Sequence, residues 1–98
     1  MKEVKPRDIV ISLAGHDKGS AYVVIKTEGE FAFLADGKLK KLAAPKKKSL
    51  KHLMAGKVGT ATLAELDFTD LAADSIIRKQ LAIFRGEADI TEEGSQLV

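Results

Sequence analysis

Apolar and polar positions divide the chain into a front half of short apolar runs and a back part with a helical period. Residues 8–14 (DIVISLA) and 20–27 (SAYVVIKT) are rich in β-branched side chains, which suit a pleated strand. In the first run Ile9, Ile11 and Leu13 share one face of the pleat. Glu28 and Gly29 form a short turn, after which Phe31 and Phe33 alternate through 30–35 (EFAFLA), a third strand. Asp36-Gly37 tolerates the positive φ of a type I′ turn and predicts a hairpin into a fourth strand over 38–42 (KLKKL), its lysines solvated. Ala44-Pro45 interrupts this pattern, because proline offers no N–H to a ladder and restricts the residue before it. Residues 50–54 (LKHLM) then predict a fifth strand that closes the sheet. With no helical period between the runs, they predict an antiparallel meander rather than βαβ units. The two central runs are so uniformly apolar that the pattern leaves the inward face unassigned.

Residues 55–69, which include Gly56 and Gly59, read as a linker. Beyond them Ile77, Leu81 and Phe84 recur at i, i+4 and i+7 and predict a helix over 70–86. Asp70 or Asp74 would cap its start, and Arg85 with Gly86 suits its end. The apolar stripe is expected to bury against the sheet or a partner protein, with Arg78 and Lys79 on the solvent side. The acidic tail, 87–98, is expected to be disordered.

The length of 98 residues allows one small domain with a limited core. Absence of cysteine excludes disulfides, thiolate metal sites and a cysteine nucleophile, and fits a reducing compartment. No run approaches the ~20 apolar residues of a membrane span, and MKEVKPRD lacks a secretory apolar stretch, so a cytoplasmic location is expected. The net charge of +2 conceals a division. Residues 1–60 carry 13 Lys/Arg against 6 Asp/Glu, whereas residues 61–98 carry 3 against 8. From Gly37 to Ala64 there is no acidic residue, and eight lysines lie between them. Such asymmetry marks a surface that faces a polyanion, with the acidic third turned away from it or masking it in the free protein.

The loop AGHDKGS is the most concentrated candidate chemistry. It fails as a nucleotide-binding loop, since GxxxxGK[ST] needs Lys directly after the second glycine and Gly19 is followed by Ser20. His16 and Asp17 fail as a metal site, since His52 is the one further histidine. Gly15 and Gly19 are expected to supply backbone angles that a Cβ forbids, at a corner whose N–H groups and Lys18 could meet a phosphate. Lys46, Lys47 and Lys48 are expected to neutralise phosphates, with Lys38, Lys40, Lys41 and Lys51 beside them. His52 would stack on a base or donate to phosphate, or pack as a structural histidine. Phe31 and Phe33 are expected in the core, and Tyr22 as an exposed stacking ring.

VISLAGHDKGSAYVVI followed by ADGKLKKLAAPKKKSLKHL resembles a KOW domain, closest to the small bacterial KOW-domain RNA-binding proteins. These are similar to a class of archaeal and eukaryotic large-subunit ribosomal proteins. The likeness covers residues 5–54, and IIRKQL (76–81) resembles the short helix that often follows in bacterial members. It implies a five-stranded SH3-like barrel over 1–54 whose loop and basic edge touch ribosomal or other structured RNA. Its motif loop maps onto Gly15, His16, Asp17, Lys18 and Gly19 and its basic end onto Lys46, Lys47, Lys48, Lys51 and His52. The residues expected to contact RNA are Gly15, His16, Lys18, Gly19, Lys46, Lys47, Lys48, Lys51 and His52 from these, joined by Tyr22, Lys38, Lys40 and Lys41 from the reading of the chain itself. Positions that are arginine-rich in the ribosomal relatives are lysine here, which favours point-charge contacts over bidentate ones. The expectation is a non-enzymatic, cofactor-free RNA-binding protein of translation. The alternative is a ribosome- or transcription-associated adaptor that uses Ile77, Leu81 and Phe84 to hold a protein partner. No nucleophile, base and orienting group can be assembled, so an enzyme is not expected.

Overall fold

The structure, a computed structural model, describes residues 3–87; the acidic residues 88–98 lie outside it. Five antiparallel strands, β1 (Ile9–Ser12), β2 (Ala21–Glu28), β3 (Phe31–Ala35), β4 (Lys46–Ser49) and β5 (Leu53–Lys57), form one sheet in the order β4-β3-β2-β1-β5. Two helices follow, α1 (Ala61–Glu65) and α2 (Ala73–Phe84). The edge strands β4 and β5 are joined by a single 3-10 turn, Leu50–His52. So short a link between opposite edges, at 3.8 Å per residue, requires the sheet to curl.

That curl explains why hydrophobic alternation was uninformative: both faces of the central strands are buried. On the outer, convex side Ile9, Ala21, Val23 and Ala35 pack with Leu63 and Leu66 around α1 and with Ala73, Ile77 and Leu81 of α2. On the inner side Val10, Tyr22, Val24, Ala32, Leu34 and Leu53 meet one another. A bulge at Ile25, between the Val24–Leu34 and Lys26–Phe33 pairs, resets the alternation in β2 and ends its buried stretch.

Three expected elements differ. Residues 38–42 are not a strand. The Asp36 carboxylate accepts hydrogen bonds from the N–H groups of Lys38 and Lys40, both at 2.8 Å, and curls the chain into a loop. The Leu42 N–H then donates to Asp74 on α2 (2.9 Å), which ties this loop to the helix. Gly37 has φ +76°, and a Cβ there would lie 2.0 Å from the Asp74 carbonyl oxygen, so glycine is required by contact as well as by angle. The fourth strand is instead Lys46–Ser49, directly after Pro45; at a sheet edge the missing proline N–H is tolerated.

The fifth strand lies three residues later than expected, because Leu50–His52 forms the connecting turn. Residues 55–69, expected as a linker, hold the end of β5 and all of α1. Thr60 caps α1 by accepting from the Leu63 N–H at 3.2 Å, and Leu63 and Leu66 enter the core. At the other end of α1, the Arg7 guanidinium donates to the carbonyls of Leu63 (2.6 Å) and Leu66 (2.7 Å) and lies over the Phe68 ring.

The final helix is present but starts at Ala73, with no side chain capping it. Asp70 accepts from the Ala72 N–H just ahead of it, and Asp74 is committed to Leu42. Ile77 and Leu81 are fully buried against the sheet and Phe84 is half-buried, so the stripe is occupied within the fold. Among the described residues, no helix is long and apolar enough to cross a membrane.

Candidate nucleic-acid interface

The lysine run of β4 is divided by the pleat. Lys46 pairs across the ladder with Leu34 and Lys48 with Ala32, both inner-face residues, while Lys47 pairs with Phe33 on the outer face. Successive side chains of a strand point to opposite faces, so two of the three consecutive lysines turn inward and one turns outward.

The inward pair meets Asp17 of the glycine loop. Lys48 Nζ lies 3.2 Å from Asp17 Oδ1 and Lys46 Nζ 3.4 Å from Oδ2, with the Lys48 side chain 11% exposed and that of Asp17 14%. Lys48 also donates to the Ala14 carbonyl at 2.9 Å. Ser12 Oγ donates to the same carboxylate at 2.8 Å and Tyr22 Oη at 2.9 Å. Burial alone would raise the Asp17 pKa; the hydrogen bonds from Ser12, Tyr22 and Lys48 and the charge of Lys46 outweigh it and hold the carboxyl well below 3.8. Burial, then the bond to this carboxylate and its charge, pushes the Tyr22 phenol well above its ordinary 10.0.

Three of the expected contact residues are therefore engaged within the fold. Lys48 is spent on Asp17 and Ala14, and Lys46 is half-committed to the same carboxylate. Tyr22 is 4% exposed with its ring in the inner core, which corrects the expectation of an exposed stacker: a hydroxyl directed at a buried carboxylate draws the ring inward. Asp17, which was weighed as a metal ligand and as part of the motif loop but not as an RNA contact, is the hub. Its signal in the sequence was a lone acid within a glycine loop.

Gly15 and Gly19, at φ +87° and +92°, turn the loop as expected, while His16 and Lys18 are exposed on its outside. Lys38, Lys40 and Lys41 are exposed on the β3–β4 loop, and Lys51 and His52 on the 3-10 turn. These side chains are distributed around the sheet rather than gathered in one pocket. A concave site of about 570 Å³ opens beside the turn, lined by Leu13, Gly29, Glu30, Ser49, Leu50, Lys51 and Leu53.

Phe31 and Phe33 occupy the place expected for Tyr22. They share the outer face with Ala35, but neither belongs to a core cluster among the described residues. Phe31 is 41% exposed and Phe33 is half-buried, which corrects their expected core placement. Helix packing on this face reaches Ala35, while the following rows are Lys26–Phe33–Lys47 and Glu28–Phe31–Ser49. Lys47 Nζ lies 4.5 Å from the Phe31 ring centre and Lys26 Nζ 4.7 Å from that of Phe33.

Comparison of the chain with models of known families and with curated proteins finds no match. The KOW likeness therefore rests on the residues that carry it.

Proposed function

We propose that the protein is a non-enzymatic RNA-binding module of the KOW type, its curled sheet acting as a small SH3-like barrel. The observation that carries this reading is the outward row of β2, β3 and β4, where Lys26 and Lys47 flank Phe31 and Phe33 on an exposed sheet face. Exposed Lys38, Lys40 and Lys41 extend positive charge from the β3–β4 loop, and Lys18 and Lys51 add to it at the other loops. A chain with a net charge of only +2 that carries eight lysines and no acid between Gly37 and Ala64 offers a polyanion several cationic contacts around the sheet. Mobile ammonium groups neutralise phosphates without reading base edges, so selectivity would come from nucleic-acid shape. Burial of Ile77 and Leu81, two of the three anchors of the adaptor alternative, weighs against it, while Phe84 is half-buried.

The test is titration of a fluorescent structured RNA with the full chain at several salt concentrations. About three to five phosphate contacts give a log–log slope of roughly −2 to −4.5, and binding that weakens steeply between ~50 and ~200 mM salt. No association at ~50 mM salt would remove the proposal.

A further inference from the structure

We infer that Phe31 and Phe33 are a stacking platform for unpaired bases, so that this face takes single-stranded segments of RNA in preference to duplex. The inference rests on the RNA-binding reading and specifies its ligand. Phe31 and Phe33 are two residues apart on one strand and share its outer face, which places them ~6.6–6.8 Å apart along the strand. Each ring can therefore receive one base of an extended strand. Duplex RNA keeps its bases paired and stacked internally and offers such rings nothing to stack on.

The charges around the rings fit the same ligand. Lys26 and Lys47 rest over the two rings, at 4.7 and 4.5 Å from their centres, on long flexible stems. A base that settles on a ring displaces the ammonium sideways, where the phosphate of the same nucleotide can receive it. Glu28, cross-strand from Phe31, is an exposed acid at the end of β2, beside the turn that leads into β3. Cross-strand Lys–Phe pairing by itself would stabilise the sheet, but it does not require rings placed outside both core clusters beside exposed lysines.

Two probes separate this inference from the reading beneath it: a labelled oligouridine of about twelve nucleotides, and a blunt, fully paired RNA duplex of equal charge. The full chain should bind the oligouridine more tightly than the duplex. Phe31→Ala/Phe33→Ala should weaken oligouridine binding by at least ~tenfold and leave duplex affinity within about twofold. Phe31→Trp should retain binding, with the introduced indole quenched as unlabelled oligouridine is added. If circular dichroism shows the double variant unfolded, Phe31→Ala together with the indole quenching decides the matter. Oligouridine binding unchanged by removal of the rings, or an unquenched indole at saturation, overturns the platform while duplex binding keeps the broader reading. Failure of the wild-type chain to bind either RNA overturns both.

Discussion

Asp17→Asn removes the negative charge that neutralises Lys48, an ammonium whose side chain is only 11% exposed, and Lys46, at 31%. Breaking a buried pair by deleting one partner typically costs about 3–5 kcal/mol, because the other charge is left uncompensated. Two features reduce that figure: Lys46 is partly solvated, and the asparagine carbonyl can still accept from Ser12 or Tyr22. A loss of about 2–4 kcal/mol is expected, or roughly 10–25 °C in Tm for a domain of this size. The pH dependence gives a second readout. The folded pKa of Asp17 lies below its unfolded value of ~3.9, so its contribution is fully present above that value and is lost as pH falls through the folded pKa. Urea unfolding followed by circular dichroism, at pH values from ~7 down to ~2, should show the gap between wild type and Asp17→Asn shrinking below pH ~4. Adding Lys48→Met to Asp17→Asn should recover roughly half of the loss, since no buried ammonium then remains unpaired. A variant within ~0.5 kcal/mol of wild type at neutral pH, or a gap that stays constant into acid, would refute the buried-charge reasoning.

Adjacent lysines should behave oppositely. Lys47→Ala is expected to change stability by less than ~0.5 kcal/mol and reduce the RNA salt slope by ~0.7–0.9, whereas Lys48→Ala should destabilise by about 2–4 kcal/mol and leave the slope unchanged. Urea titration and salt-dependent anisotropy on the two variants check this. Gly37→Ala forces a Cβ to within 2.0 Å of the Asp74 carbonyl at a φ of +76°, and should cost at least ~3 kcal/mol by urea unfolding.

Strand composition and the helical stripe were legible because they depend on local chemistry. Val23, Val24 and the Ile9–Ile11 run could hardly be anything but strand, and Ile77 with Leu81 bury as their spacing requires. Asp36-Gly37 misled because the turn signal is local while the outcome is tertiary: the Asp36 carboxylate and the Asp74 contact to Leu42 hold a loop where a hairpin was expected. Displacement of the fourth strand to Lys46–Ser49 follows from that loop. It also decides which lysines are available, since one residue of register exchanges the inward and outward sets.

The aromatic assignments were reversed for a related reason. Tyr22 lies among residues buried on both faces of the sheet, and its inward direction is set by Asp17, five positions earlier, through a loop whose path is not written in the strand pattern. Phe31 and Phe33 alternate as core residues would, but helix coverage of their face reaches Ala35 and does not include them. Where α2 lies on the sheet is a property of the whole fold. Short α1 escaped notice because Gly56 and Gly59 suggested a linker, although Thr60, Leu63 and Leu66 carry a cap and an apolar face.

Amide chemical-shift mapping of the isotope-labelled full chain, titrated with single-stranded RNA at low salt, would locate the interface residue by residue. The expected shifts fall on Lys26, Phe31, Phe33 and Lys47, with Lys38, Lys40 and Lys41 following, while Asp17, Tyr22 and Lys48 stay in place. Shifts confined to α1 and α2, or none at saturating RNA, would contradict the division of inward lysines that hold the fold from outward lysines that hold the ligand.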